Sequence, residues 1–182
     1  MKIGNPTTIP QDLILVNEQD EVTGHGEKMD VHRKGLLHRA FSVLIADDAG
    51  RLLLQKRAPE KYHSAGLWTN ACCSHPLRSE DTVSAAHRRL QEELGFDCGL
   101  NFAFKFIYRA KLDKGLIEHE LDHVFTGRYN GPVRPDPSEI SEIAWVNPKE
   151  LLARMHQQPE AYTIWFRIIM ERAGELGIKD LY

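Results

Sequence analysis

Short stretches of apolar residues, several of them alternating with polar ones, predict the strands of a sheet. They are rich in Leu, Ile, Val and Phe, and each has the length of an ordinary strand. Strands are predicted over 12–17, 41–47, 51–57, 102–110, 118–129 and 143–146. The turn sequence "DDAG" at 47–50 joins the second and third of these, so we expect a hairpin there.

A different spacing of apolar residues predicts three helices, of which 81–94 has the best pattern. Its apolar positions fall three or four residues apart, and Gly95 follows as a stop signal. The apolar positions are Val83, Ala86, Leu90 and Leu94. The other helices are expected over 148–156, where Pro148 is suited to the first turn, and over 162–176.

Two segments lack a clear period. Residues 25–40 are polar and contain two glycines, so we expect irregular structure there, and 132–139 reads as a proline-rich loop. Strands interspersed with helices favour an α/β or, more loosely, an α+β layered fold, with a mixed sheet core flanked by helices. At 182 residues, we expect 1–182 to form a single domain.

Composition narrows the class of protein. The net charge is −3 and there is no basic run, so neither nucleic acid nor a membrane is the expected partner, and a small molecule is. The beginning of the sequence lacks an apolar leader, and we expect a cytosolic protein, monomeric or homodimeric. Two of its three cysteines are adjacent, so reduced thiols are expected.

Two short motifs place reactive side chains by strand geometry. In "EHE", the alternation of a strand puts Glu118 and Glu120 on one face. If "CCSHP" is also extended, Cys73 and His75 share one face, while Cys72 faces the other way as a packing residue. The ordinary alternative is a solvated acidic strand and two inert cysteines.

Three histidines and two glutamates together form a possible metal site. They are His32, His38, His75, Glu118 and Glu120. Nitrogen and oxygen ligands in this number suit an octahedral divalent ion such as Mn²⁺ or Mg²⁺, whereas closed zinc sites usually take four ligands with cysteine prominent. The sequence has nine histidines, and most histidines bind no metal, so this set could also be unrelated residues.

The helix at 81–94 offers a second set of charges. Arg89 and Glu93 are four residues apart and share a face, which is typical of ordinary ion pairing but also suits a site for a metal-bound diphosphate. Basic residues that could clamp such a diphosphate are Lys28, Arg57 and Lys61. Tyr108 and Trp165 lie in apolar surroundings, where core packing is the simplest role.

The same helix resembles the Nudix signature, G-x5-E-x7-R-E-U-x-E-E-x-G-U, where U is aliphatic. The matching positions are Glu80, Arg88, Leu90, Glu92, Glu93 and Gly95. Ser74 stands where the first glycine belongs, and Arg89 replaces the first glutamate of R-E-U-x-E-E. The loss of that carboxylate is a departure from hydrolase chemistry.

Four blocks together resemble the type 1 isopentenyl-diphosphate delta-isomerases, which have the Nudix fold. In order along the chain they are "GLLHRAFSV" (35–43), "WTNACCSHP" (68–76), "RRLQEELG" (88–95) and "IEHEL" (117–121). Their order and spacing match over roughly residues 12 to 170. The resemblance implies a Nudix-like fold and interconversion of isopentenyl and dimethylallyl diphosphate in isoprenoid biosynthesis.

The resemblance also implies roles for individual residues. Cys73 and Glu120 become the catalytic groups, with Tyr108 beside Glu120 and Trp165 over the reacting carbons. One divalent ion, Mn²⁺ or Mg²⁺ with Zn²⁺ possible, would be bound by His32, His38, His75, Glu118 and Glu120. A second, Mg²⁺, would bridge Glu93 to the diphosphate. The diphosphate itself would be bound by Lys28, Arg57, Lys61 and Arg89.

Two other functions stay open at this stage. One is a Nudix pyrophosphohydrolase acting on a nucleoside diphosphate derivative, against which Arg89 argues. The other is a binding module with a Nudix fold and no activity, which would have no need of the full set of histidines, glutamates and Cys73. Release of phosphate would identify the first, and metal analysis of the purified protein bears on the second.

Overall fold

The computed structural model describes residues 12–176, which fold into nine strands and four helices. The strands are β1 (Asp12–Val16), β2 (Val22–Glu27), β3 (His38–Ala46), β4 (Leu52–Arg57), β5 (Trp68–Asn70), β6 (Cys72–Ser74), β7 (Leu100–Lys111), β8 (Ile117–Arg128) and β9 (Ile140–Val146). The helices are α1 (Lys28–Lys34), α2 (Thr82–Leu94), α3 (Pro148–Gln157) and α4 (Ile164–Glu175). None of the described helices has the length and apolar character needed to cross a bilayer.

The strands form one mixed, curled sheet. On one side of it, β7 pairs antiparallel with β8, β8 pairs parallel with β3, and β3 pairs antiparallel with β6. On the other side, β4 lies between β9 and β5 and is antiparallel to both. The predicted hairpin joins the two sides through the pairing of Ala46 with Leu52.

The alternation of apolar residues along β3 explains the layers. Phe41, Val43 and Ile45 pack with the apolar face of α2, whereas Leu44 and Ala46 pack with α3 and α4 on the opposite face. A strand that is apolar on both faces needs cover on both sides, and the helices supply it. The predicted α+β architecture, a mixed sheet flanked by helices, is confirmed.

The ends of α2 fix the face that it presents to the rest of the protein. The Asp81 side chain accepts a hydrogen bond from the Ser84 backbone N–H at 3.0 Å, a normal N-terminal cap. The helix ends at Gly95, where φ is 72° and a Cβ atom would lie 3.0 Å from the carbonyl oxygen of Arg134. Glycine is therefore required there, as the sequence pattern predicted.

The prediction of irregular structure over 25–40 is wrong. This segment contains the end of β2, all of α1 and the beginning of β3. Helix α1 has only seven residues, capped by the Glu27 side chain and ended by Gly35 at a φ of 62°, so it is too short to show a helical period. Residues 1–11 and 177–182 lie outside the described residues, and the single domain over 1–182 stays a prediction.

Candidate active site

Strand register assembles the centre of the candidate site. Glu120 of β8 lies directly opposite His38 of β3 and Tyr108 of β7, so the three side chains form a row across neighbouring strands. Glu118, two residues earlier, lies on the same face, and both carboxylates are buried. His119 points the other way and its Nδ1 lies 3.0 Å from the Gly35 carbonyl oxygen. The expected alternation in "EHE" is thus observed.

The two adjacent thiols lie in different surroundings. Cys73 pairs with Ser42 of β3 and lines the same pocket as Glu120 and Tyr108. Cys72 is completely buried in the apolar cluster beneath α2, as expected of a packing residue. Strand alternation would put Ser74 on the far face with Cys72, but Ser74 also borders the pocket, at the point where the strand ends.

The three histidines and two glutamates of the predicted metal site converge. One donor atom from each of them lies within 4.8 Å of every other: His32, His38, His75, Glu118 and Glu120. His75 Nε2 lies 3.0 Å from Glu120 Oε1 and 3.2 Å from His38 Nε2. His32 Nε2 lies 3.3 Å from Glu118 Oε2. The group could therefore hold a metal ion.

The chemistry of these donors fits a divalent cation. His32 Nδ1 lies 2.7 Å from the Lys28 carbonyl, and His38 Nδ1 lies 2.9 Å from the Leu36 carbonyl. Each Nδ1 must donate to its carbonyl, so in the neutral imidazole the lone pair is at Nε2, which faces the cluster. Within the described part of the chain, His32 Nε2 and Glu118 Oε2 are buried acceptors without a hydrogen-bond donor. Lone pairs that face each other in this way are stabilised by a positive ion.

Burial sets the ionisation of His75, Glu118 and Tyr108. It lowers the pKa of His75 to about 3, which keeps this imidazole neutral and able to bind a metal. Burial and the neighbouring charge of Glu120 raise the pKa of Glu118 well above its ordinary value. Burial also raises the pKa of Tyr108, whose hydroxyl donates to Glu120 Oε2 at 2.7 Å and therefore stays protonated.

The wall beside these groups is apolar and aromatic. Trp165 is 3% exposed and belongs to the same core cluster as Tyr108, yet both side chains also line the pocket. Burial in these surroundings raises the pKa of Cys73 to about 12, so the thiol is protonated in the free protein. Trp165 and Tyr108 therefore pack in the core and also border the pocket.

The four basic residues expected to bind a diphosphate line the same pocket. They are Lys28, Arg57, Lys61 and Arg89. Arg57 donates to the His63 carbonyl at 3.1 Å, and its guanidinium lies 5.4 Å from the centre of the Trp165 ring. Its buried Nε has no hydrogen-bond partner among residues 12–176. Lys28 Nζ lies 4.8 Å from the centre of the Tyr62 ring. Arg57 and Lys28 thus each lie close to an aromatic ring that borders the pocket.

Glu93 is near this cation cluster and does not belong to the histidine group. Its Oε1 accepts from Arg89, and its Oε2 accepts from Gln55 Nε2 at 3.1 Å. The predicted pairing of Arg89 with Glu93 on one helix face is confirmed. The role of Glu93 in binding Mg²⁺ stays a prediction.

The pocket is also bordered by residues that the sequence patterns did not predict, among them His63, Tyr62 and Glu139. His63 Nε2 lies 3.3 Å from Glu118 Oε1, and its ring makes an edge contact with Trp165. Tyr62 packs against His63 and beneath Lys28, and Glu139 contacts Lys61 and Arg89. The run "KYHS" at 61–64 could have signalled the first two, since an aromatic and an imidazole follow a predicted phosphate ligand there.

Comparison with known proteins assigns the family. Residues 36–166 match the model of the NUDIX domain. The isopentenyl-diphosphate Delta-isomerase 2 of Photorhabdus laumondii subsp. laumondii is 51% identical over 92% of this chain and 95% of that relative. The isopentenyl-diphosphate Delta-isomerase of Burkholderia multivorans is 49% identical over 89% of this chain and 92% of that protein. The chain belongs to the isopentenyl-diphosphate Delta-isomerase family of Nudix proteins.

A solved structure supports the fold of this family member. The protein DR0079 from Deinococcus radiodurans aligns with a TM-score of 0.74 over 88% of this chain and 98% of that one, at 21% sequence identity. In this isopentenyl-diphosphate Delta-isomerase family member, Arg89 of the Nudix helix borders the pocket beside Glu93. The departure from the Nudix signature therefore lies within the candidate site.

Proposed function

We propose that the protein interconverts isopentenyl diphosphate and dimethylallyl diphosphate by a 1,3-proton shift. The observation that carries the proposal is the joint presence, in one pocket, of an aromatic wall, buried acid–base groups and four basic side chains. A short hydrocarbon attached to a diphosphate requires all three. The names of relatives about half identical to this chain support the same activity.

The proposal includes a divalent ion, Mn²⁺ or Mg²⁺ with Zn²⁺ possible, and the donor set described above fits it. It would be held by His32, His38, His75, Glu118 and Glu120. A Mg²⁺ ion would be held by Glu93 together with the diphosphate. When bound, the ion at the histidine cluster would draw charge from the Glu120 carboxylate and lower its basicity.

The proton shift needs an acid and a base that act on different carbons. An unactivated alkene is a very weak base, so protonation requires a well-positioned acid and the exclusion of water. In the proposed reaction, Glu120, supported by the Tyr108 hydroxyl, gives a proton to the terminal methylene carbon. Cys73 then removes a proton from the methylene nearer the diphosphate, which forms the new double bond. To act as a base Cys73 must be a thiolate, so the proton that it holds in the free protein has to pass to the Glu120 carboxylate before the reaction. In the opposite direction the two groups exchange roles.

Protonation of the double bond leaves a tertiary carbocation, which the pocket has to stabilise. Trp165 presents an aromatic ring to the pocket, and a cation held against a desolvated indole face gains about 2 kcal/mol. The buried position of Trp165 favours this interaction because water does not compete for the ring. We therefore assign the ring to the stabilisation of the cation.

The test is incubation of the protein with isopentenyl diphosphate and Mg²⁺ in deuterated water. We expect dimethylallyl diphosphate as the product, with deuterium in the product and in the recovered substrate, because the shift is reversible and its protons come from the solvent. A phosphate assay on the same sample detects hydrolysis. Phosphate release without deuterium exchange would identify hydrolysis of isopentenyl diphosphate instead, and the absence of exchange would reject the isomerase.

A further inference from the structure

Glu139 is a carboxylate that neither the Nudix signature nor the isomerase motifs include. It precedes β9 and lines the pocket at the end where the basic residues lie. Its backbone is fixed on both sides, since its N–H donates to the Asp136 carbonyl at 3.0 Å and its carbonyl accepts from the Ala58 N–H at 2.9 Å. The backbone therefore holds the Glu139 side chain in a defined position beside the basic residues of the pocket.

Both oxygens of this carboxylate contact basic residues that are proposed diphosphate ligands. Oε2 accepts from Lys61, and Oε1 lies 3.2 Å from Arg89 Nη2, which also contacts Glu93. Lys61 and Arg89 come from different parts of the fold, one after β4 and the other from α2. A single carboxylate thus binds two cations from separate elements, as a phosphate group would.

Carboxylates already pair with both of these cations in the free protein. Lys61 contacts Glu139, whereas Arg89 contacts Glu139, Glu93 and Glu92. Burial raises the pKa of Glu139, but the hydrogen bonds and positive charges of Lys61 and Arg89 together outweigh that effect, and the net pKa is below its ordinary value. The carboxylate is therefore ionised, and a diphosphate that approaches the same cations is repelled by it.

We propose that Glu139 is a positioning residue of the diphosphate site, where it holds Lys61 and Arg89 in place and competes with the incoming diphosphate for both. The inference rests on the proposed function, because it takes these two cations as diphosphate ligands. This competition makes the site selective for a diphosphate bound to Mg²⁺ over a bare diphosphate. A bare diphosphate has to displace Glu139 against charge repulsion, whereas a Mg²⁺ complex brings positive charge that offsets the repulsion.

The experiment is a calorimetric titration of metal-loaded protein with inorganic pyrophosphate, in buffer without free Mg²⁺ and again with Mg²⁺. We expect Glu139→Gln to bind pyrophosphate about tenfold more tightly than wild type without Mg²⁺, because the variant removes one opposing charge at short range. With Mg²⁺, the gain should be clearly smaller. The KM for isopentenyl diphosphate should fall most at limiting Mg²⁺.

The control is Glu142→Gln, which removes a more exposed carboxylate that contacts Lys56 at 3.4 Å and does not line the pocket. It should bind pyrophosphate like wild type under both conditions. If Glu139→Gln does not fold, Glu139→Asp, which withdraws the carboxylate by one methylene, should show a smaller gain in the same direction. Thermal unfolding of each variant separates a loss of stability from a change in binding.

Two outcomes would overturn the inference. Unchanged or weaker binding of Mg²⁺-free pyrophosphate by Glu139→Gln would mean that the carboxylate does not compete. Weaker binding only with Mg²⁺ would mean that Glu139 is a magnesium ligand. If wild type exchanges deuterium but the variant gains no affinity, this inference fails alone, whereas a wild type that neither exchanges deuterium nor binds pyrophosphate removes the proposed function with it.

Discussion

The two ends of the pocket differ in how their charges are balanced. At the inner end, Glu118 and Glu120 are buried among imidazoles, and no lysine or arginine of residues 12–176 forms an ion pair with either of them. At the outer end, Lys61 and Arg89 are each already paired with carboxylates. The inner end therefore lacks positive charge, whereas an anion at the outer end can bind Lys61 and Arg89 only by displacing the carboxylates paired with them. We expect chemistry and metal binding at the first end and substrate affinity at the second.

The largest effect should come from the inner end. Cys73→Ala removes a group that transfers a proton, and we expect kcat to fall by about 10³-fold, within the usual range for general acid–base catalysis. Metal content should stay that of wild type, because Cys73 is outside the histidine cluster. Turnover at saturating substrate and metal analysis of the purified variant measure both quantities.

Cys72→Ala is the matched control for that prediction. It removes the neighbouring thiol, which packs beneath α2 and does not line the pocket, so most of the activity should remain. Equal losses in the two variants would contradict the assignment of the two thiols to opposite faces of the sheet.

Removal of the metal should have the next largest effect, which is a loss of thermal stability. Because a bound ion stabilises only the folded chain, an ion at a thousand times its Kd contributes about 4 kcal/mol. For a chain of this length, that corresponds to a fall in Tm of about 10 °C when a chelator is added. Differential scanning fluorimetry with and without chelator measures the change.

The His38→Gln variant removes one of the converging nitrogens and should make Tm nearly insensitive to chelator. His156→Gln, at an exposed position of α3, should respond like wild type and serves as the control. If chelation lowers the Tm of wild type and His38→Gln equally, the metal is bound somewhere else.

At the outer end, Lys61→Met should act on affinity more than on turnover. A hydrogen bond to a charged group contributes about 1.5–3 kcal/mol, so KM should rise at least about tenfold while kcat changes less. The control is Lys56→Met, which removes a lysine that contacts Glu142 and does not line the pocket. Steady-state kinetics measures both constants. A fall in kcat with an unchanged KM would mean that Lys61 acts in the proton shift and not in substrate binding.

The contrast between the two ends of the pocket also explains which site residues could be predicted from the sequence. Glu118 with Glu120, and Arg89 with Glu93, were found because each pair is separated by the period of its own strand or helix. Glu139 was missed because it meets Lys61 across 78 positions of sequence, from loops that have no period. Helix α1 and its histidine were placed in irregular structure for a related reason, since seven residues are too few to define a helical face.

The smallest effect should come from the aromatic wall between the two ends. Trp165→Phe keeps an aromatic face but a weaker one, so part of the roughly 2 kcal/mol of cation–π stabilisation should be lost and kcat should fall by about five- to tenfold. KM should change little, because the cation exists only during the reaction and the ground-state substrate carries no positive charge near the ring.

Trp145→Phe is the control, since this tryptophan packs on the α2 side of the sheet and does not line the pocket. Its kcat and KM should both stay near those of wild type. A Trp165→Phe variant that raises KM and leaves kcat unchanged would show that the indole binds the substrate's hydrocarbon and not the cation, and the wall would then belong functionally with the outer, substrate-binding end of the pocket.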